Sequence, residues 1–323
     1  MNDPTAPAAL RATAIEHAFR GKKALNGCEF ELPPGRIAAL VGPNGAGKTT
    51  LFHLMTGLMR PDAGSIRVFG AAPGSREARH RTAYLAQNKP LYPQFTVADT
   101  LALGRRLSRR FDLAKAERIV RAGDIPPSAR IGSLSGGQRT RVALAVALGK
   151  QADLLLLDEP LADLDPLVRH EAMGLLMAEV ADRGLTVVIS SHVLPELENV
   201  CDHVLLLQQG RIRLAGDTQD LREAYTRLTG LADPTTADGL PRDADRDAVV
   251  HATNTGRHLT AVVRNAPGAA LPAGADERWI TATPSLEELL LAHLRSAPRT
   301  TAPVASPASP SAAAGNQETE AAA

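Results

Sequence analysis

Aromatic side chains are scarce, with six Phe, three Tyr and one Trp in 323 residues. A core must then be built from Leu, Val, Ile and Ala, the composition of buried parallel strands covered by helices. Ring-lined platforms for sugars or single-stranded nucleic acid are disfavoured. Cysteine is nearly missing: Cys28 and Cys201 stand far apart, with no CxxC pair and no His/Cys cluster. That excludes a disulfide framework and a structural zinc site, and it fits a reducing compartment. An excess of one charge is also missing, because 36 Lys and Arg meet 35 Asp and Glu. No broad field is available to hold a polyanion such as DNA, so no stable nucleic-acid partner is expected. The longest apolar run, Val142 to Leu148, like the buried Leu154 to Leu157, falls short of the roughly 18 to 20 residues that span a bilayer. The first ten residues carry no basic stretch followed by an apolar one, so they do not read as a secretory signal and the chain is expected inside the cell.

What the sequence does contain, 44% hydrophobic residues, suffices for one large α/β domain with or without a smaller appendage. Residues 1–10 read as a loose leader, with order beginning near Thr13. Strands are expected around Cys28 to Leu32 and over Arg36 to Val41, the second running through a glycine-rich turn into a helix from Lys48 to about Leu58. Further strands are expected at Ser65 to Phe69 and Thr82 to Ala86. Over 88–133 strand signals stop. Thr96 begins a plausible capping box for one helix reaching toward Arg110, and Asp112 can cap a second, giving a helical insertion.

Ser135 can cap the next helix, to about Leu148, ahead of a buried strand Leu154 to Leu157. Asp165-Pro166 reads as the cap and first turn of a helix closing near Gly184, followed by a strand Thr186 to Ser190. Alternating strand and helix imply a parallel sheet. Val204 to Leu207 and Arg211 to Leu214 look like an edge hairpin, with a helix from about Asp217 beyond it. The first unit is expected over residues 11–230 and a small C-terminal α/β unit over 231–296, joined by an Asp/Pro/Thr/Gly-rich linker at 232–246. Of the 27 residues in 297–323, 20 are Ala, Pro, Ser or Thr, so that tail has nothing to bury and is expected to be disordered.

Three motifs carry chemistry. Gly42-Pro43-Asn44-Gly45-Ala46-Gly47-Lys48-Thr49, followed by Thr50, satisfies GxxxxGK[ST] between a buried strand and a helix start. The glycines let successive N–H groups point at phosphate oxygens, Lys48 would contact the β- and γ-phosphates of a nucleotide, and Thr49 would ligate Mg²⁺. A glycine-rich turn without function is the bland alternative. Leu154 to Leu157 then delivers Asp158 and Glu159 at a strand's C-terminal end, where ligands bind in open α/β sheets. Asp158 is the candidate for the Mg²⁺ shell, and Glu159 for orienting or deprotonating a water. The third motif, Leu134-Ser135-Gly136-Gly137-Gln138, is the most discriminating. Its Ser and two Gly at a helix start form a second phosphate-binding surface.

With these residues in this order, the chain resembles the ATP-binding cassette ATPases, the engine subunits of ABC transporters. The resemblance covers about residues 11–230. It implies a P-loop NTPase fold with a parallel-sheet core, antiparallel edge strands and a helical insertion. It further implies ATP and Mg²⁺ as ligands, and a complete site made only when Ser135, Gly136, Gly137 and Gln138 close over ATP held by the P-loop of a second cassette, identical or different. Gln87 matches the Q-loop glutamine, which senses Mg²⁺ or the attacking water. His192, in Ser190-Ser191-His192, matches the switch histidine that touches the γ-phosphate. Asp165 matches the cross-dimer aspartate of the D-loop or is simply a helix cap. Phe19 stands near the place of the adenine-stacking aromatic, or packs without that role. Ala86, Val146 and Ala152 depart from frequent family residues, and none of the three removes a catalytic group.

The resemblance also implies a separate transmembrane permease and a location on the inner face of the cell membrane. Pro284-Ser285-Leu286-Glu287 resembles a helix that closes many ATPases of the ABC-2-type exporters, so export is expected, with import as the alternative. The insertion carries nine Lys/Arg against four Asp/Glu over 88–133. These charges form a solvated face, or they meet acidic residues of the permease or anionic lipid heads. An ABC ATPase acting on DNA or ribosomes, or a nucleotide-switched binding module, are readings from other classes. The chain shows neither a second cassette nor a long coiled-coil interruption, and it retains the hydrolytic residues.

Overall fold

The computed structural model describes residues 8–161, 164–191, 197–198, 200–241, 244–265 and 279–296. Its centre is a six-stranded sheet in the order β5-β6-β7-β3-β8-β9, made of β3 (Ile37–Val41), β5 (Thr82–Leu85), β6 (Leu154–Asp158), β7 (Thr186–Ser190), β8 (His203–Gln208) and β9 (Arg211–Asp217). The first five are parallel and β9 returns antiparallel as the edge hairpin. Every residue of β3, β6 and β7 is buried, as expected when both faces of a parallel sheet are covered. The two-residue strand period divides them between two cores. Leu154 and Leu156 face the side that includes Phe52 and Met55, whereas Leu155 and Leu157 face the side that includes Val142 and Leu148.

A second sheet, antiparallel in the order β2-β1-β4, consists of β1 (Leu10–Phe19), β2 (Lys22–Leu32) and β4 (Ala63–Val68). It packs on the side that holds α1 (Lys48–Thr56). The loose leader therefore ends earlier than expected: Leu10 is fully buried and pairs with both Leu32 and Val68. The short α2 (Arg76–Arg81) was not anticipated, because its six residues bury only Ala78 and show no apolar stripe. The insertion forms as expected, with α3 (Val97–Leu107) under the Thr96/Asp99 capping box and α4 (Leu113–Arg121) under Asp112. Both pack on α5 (Gly136–Gly149), and α6 (Pro166–Arg183) begins at its Asp165 cap and ends at Gly184.

After α7 (Thr218–Glu223), β10 (Tyr225–Leu231) leaves the first unit and becomes an interior strand of a third sheet, β11-β12-β10-β13. Its companions are β11 (Val249–Thr255), β12 (His258–Arg264) and β13 (Trp279–Ala282). Alternate residues of β10 supply both faces, Tyr225 to the main core and Leu228 to a small core with Leu259 and Leu240. Sequence reading missed this strand because its apolar positions are few and separated by Thr, Arg and Gly. The final helix, α8 (Leu286–Arg295), has the Ser285/Glu288 capping box and buries Leu286, Leu289 and Leu290 in the main core. It is tied back to the central sheet by the Gln208 Nε2 donation to the Leu294 carbonyl at 2.9 Å. The tail expected from Ala297 onward lies outside the described residues.

Candidate functional site

The buried strand β3 ends at Val41, and the chain must turn sharply to enter α1. Gly42 sits so close to the neighbouring strand that an added Cβ would lie 2.1 Å from the Leu207 carbonyl oxygen. Gly47, the residue capping α1, has φ 110°, a conformation that side-chain-bearing residues rarely adopt. No side chain caps this helix start, so its first-turn amides remain available to an anionic ligand at the positive end of the helix dipole. Ala46 is buried beneath the turn, and the Pro43 carbonyl accepts the Ala46 N–H at 3.1 Å.

Lys48 is almost wholly buried, and its ammonium donates to the carbonyls of Gly42 at 2.7 Å and Pro43 at 3.3 Å. The same nitrogen stands 3.7 Å from Glu159 Oε1. Thr49 Oγ1 donates to Asp158 Oδ2 at 2.8 Å, and Ser190 Oγ donates to Asp158 Oδ1 at 2.9 Å. Ser190 also accepts the Glu159 backbone N–H at 2.8 Å, so one hydroxyl ties both acids to β7. Glu159 has φ 44°, a left-handed backbone for a non-glycine residue at the strand end. Its Oε2 accepts from Gln87 Nε2 at 3.3 Å.

These groups open on a cleft of about 530 Å³ lined by Asn44, Gly45, Gly47, Lys48, Thr49, Thr50, Gln87 and Glu159. Phe19 completes one wall with half its surface exposed, its ring edge-to-face against His17 at 4.8 Å. Lys22, Lys23 and Ala24 of β2 also line the cleft. Sequence reading did not single them out, since a lysine pair in a hairpin carries no signal until β2 is folded over the turn. Ser190 was likewise missed as a bridge; only its register opposite Asp158 reveals it.

Tyr84, three residues before Gln87, also stands near Asp158. Burial and the adjacent Asp158 carboxylate both push its phenol upward, since each disfavours a second negative charge. The oxygen donors gathered around Asp158 are a hydroxyl, carboxylates and an amide, a hard set that suits Mg²⁺. Among the described residues no three His, Cys, Asp or Glu side chains cluster as a metal site made by protein groups alone would require. One or two carboxylates completed by phosphate oxygens and water is the pattern Mg²⁺ adopts. The curled Gly42–Gly47 turn, with open amides and a buried lysine, equally fits a polyphosphate.

Ser135, Gly136, Gly137 and Gln138 do not line this cleft. Ser135 Oγ accepts the Gln138 N–H at 3.2 Å and Gln138 Oε1 accepts the Ser135 N–H at 3.1 Å, closing a capping box at the start of α5. Gly136 faces open space, and Gly137 lies against Val168 of α6. Asp165 accepts the N–H groups of Leu167 and Val168 at 3.1 Å each, so within one chain it acts as a helix cap. His192 and the D-loop residues Ala162 and Asp163 lie outside the described residues.

A family model described as ABC transporter matches residues 25–162. The Nod factor export ATP-binding protein I of Burkholderia orbicola (strain AU 1054) is 38% identical over 207 residues, 61% of this chain and 67% of that protein. The Fe(3+) ions import ATP-binding protein FbpC 2 of Rhodococcus jostii (strain RHA1) is 34% identical over 219 residues, 66% of this chain and 63% of that protein. Among solved structures, an ATP-binding subunit of an ABC transporter superposes with TM-score 0.60 at 28% identity, covering 67% of this chain and 92% of its own. A bacterial Atm1-family ABC exporter with ATP bound gives TM-score 0.59 at 26% identity, covering 69% of this chain and 42% of its own.

Proposed function

The chain belongs to the ABC transporter ATP-binding family, and we propose that it drives export of a substrate through a separate permease by pairing two cassettes around ATP. The observation that carries the reading is the convergence of Lys48, Thr49, Asp158, Glu159 and Gln87 on one cleft. The Ser135–Gln138 surface stands apart from that cleft on the same chain. Two copies set head to tail complete each other: the signature surface of one faces the phosphate turn of the other. Asp165 then serves the interface as well as its own helix.

In this reading the amides of the 42–47 turn and Lys48 hold the β- and γ-phosphates, and Phe19 stacks on the base. Thr49, Asp158 and Gln87 are the groups that would hold Mg²⁺, which neutralises phosphate charge when bound. Glu159 accepts the proton of the attacking water or orients it; its contacts with Lys48 and Gln87 place the carboxylate at the mouth of the turn. His192 contacts the γ-phosphate.

No helix among the described residues is long and apolar enough to cross a membrane; in this reading a permease partner supplies the translocation path. A second groove, of about 320 Å³ between Leu91, Leu107, Phe111, Val146 and Lys150, lies beside the Gln87 segment on the insertion. It supports a docking place for the permease that is mechanically linked to the ATP site. Export is favoured over import by the Nod factor exporters among the relatives and by the Pro284-Ser285-capped helix α8. The iron-import relatives keep import as the second reading.

The test is Glu159→Gln with saturating Mg-ATP. Turnover should fall by about 10²- to 10⁴-fold, the range for losing a general base, while ATP stays bound and a dimer accumulates in light scattering. Unchanged hydrolysis would remove Glu159 from its role, and a monomer under all conditions, permease included, would remove the paired-cassette reading. Direction is read by comparing cells that lack the subunit with cells that contain it. Accumulation of a compound inside the deficient cells supports export, and its depletion supports import.

A further inference from the structure

Tyr84 takes no part in the roles proposed for Gln87 and Asp158, yet the fold puts it beside both. β5 pairs in parallel with β6 so that Tyr84 stands opposite Leu156. Side chains two apart on a strand share a face, which places Tyr84 on the face of β6 that carries Leu156 and Asp158. The ring is clamped from the α1 side by Phe52 and by His53, each with its ring centre 6.0 Å away. The phenol oxygen is shielded from solvent and makes no hydrogen bond of ordinary length, with the Asp158 carboxylate beside it. The nearest charge it senses is the Asp158 carboxylate.

A buried hydroxyl without an acceptor costs free energy that a phenylalanine ring at the same place would avoid. Asp158 is 1% exposed and engages two hydroxyls, Thr49 on Oδ2 and Ser190 on Oδ1. Both donors also have other work: Thr49 lies in the phosphate turn, and Ser190 holds the Glu159 amide. A carboxylate oxygen has spare acceptor capacity, and the Tyr84 hydroxyl is a further donor beside it.

We propose that Tyr84 is a positioning residue for Asp158, its hydroxyl fixing the carboxylate in the orientation that holds a divalent cation against bound nucleotide. The inference rests on the reading of Thr49 and Asp158 as the cation site. Groups that hydrogen-bond a ligating or cation-facing carboxylate set its direction, and their loss lowers metal affinity by about 10- to 100-fold.

The experiment measures ADP affinity of the full chain twice on each preparation, once with Mg²⁺ and once with EDTA, in the wild type and in Tyr84→Phe. The ratio of the two Kd values reports the cation's contribution, and a loss of folded protein cancels from it. Tyr84→Phe should lower that ratio at least about fivefold while the EDTA value moves less than twofold. Tyr84→Leu should lower it equally, and Phe52→Leu, which disturbs the same packing but keeps the hydroxyl, should leave it unchanged. Electron paramagnetic resonance of Mn²⁺ with ADP should show the same loss as weaker Mn²⁺ binding in Tyr84→Phe. A wild-type ratio in Tyr84→Phe, or an equal fall in Phe52→Leu, overturns the proposal. A wild-type chain that binds ADP equally well with and without the cation overturns the cation site itself.

Discussion

The Lys48 ammonium stands 3.7 Å from the Glu159 carboxylate, the two side chains 6% and 13% exposed. They form an opposite-charge pair of largely buried side chains at the base of the cleft, although Lys48 also donates to two carbonyls of its own turn. Removing one partner leaves the other charged and poorly solvated.

Lys48→Ala is therefore expected to act on stability as well as on binding. Nucleotide affinity should fall beyond detection in a fluorescent-nucleotide titration. In urea unfolding, Lys48→Ala should be destabilised and adding Glu159→Gln should restore part of the loss, with a coupling of about 1 kcal/mol. Simple additivity of the two changes would show that the pair does not interact.

Gly42→Ala should not be tolerated. The new methyl would sit 2.1 Å from a backbone oxygen of β8, and neither main chain can yield without breaking the parallel pairing of β3 with β8. A loss of about 1–3 kcal/mol is expected from the overpacking, visible as a lower Tm, together with weaker nucleotide binding as the turn shifts. Gly136→Ala, which meets open space in the single chain, should leave the Tm within a degree or two of wild type.

Ser135→Ala separates two functions of one side chain. Losing the cap should cost about 1 kcal/mol in denaturant unfolding, because Ser135 and Gln138 close their box on each other. ATP binding by the single chain should be retained, since the residue lies outside the cleft. The ATP-dependent dimer seen with Glu159→Gln should weaken. Normal dimer formation in the Ser135→Ala, Glu159→Gln double variant would count against the composite site.

Acid should loosen the fold well before most carboxylates titrate. Burial pushes His203 and His293 down to about 4, with Arg36 adding to the effect on the first and Arg264 and Arg213 on the second, while Asp217 opposes it at His203. Both histidines are neutral when folded and take up protons more readily when unfolded. Their contribution is complete above about pH 6.5 and is lost as pH falls from 6.5 toward 4, at most about 3 kcal/mol each. Unfolding free energies measured from pH 7.5 to 4.5 should show that decline, and His293→Leu should make it shallower.

Much of the site was legible in the chain because its parts are local: a turn between a strand and a helix, two acids at a strand end, a capping box at a helix start. Thr96, Asp112, Ser135 and Asp165 were all readable as caps, and all act as caps. What escaped depends on contacts distant in sequence. Ser190 bridges Asp158 and Glu159 only because β7 lies beside β6 in register. Lys22 and Lys23 reach the cleft only because β2 folds over the phosphate turn. β10 hid because it shares its residues between two cores, so neither half of its pattern looks like a complete strand face. A tyrosine ending a short strand gives no sign of the carboxylate it will meet.

Helix α8 changes what can be removed from this protein. Its leucines fill the same interior as the central sheet, and its end is fastened to β8. A chain cut after β9 or β10 would keep every nucleotide-binding motif yet present a raw greasy trench where the last helix had lain. Such a fragment invites clumping. The C-terminal segment is thus a keystone of the motor and no detachable trailer, and any accident there should be felt as sickness of the whole enzyme.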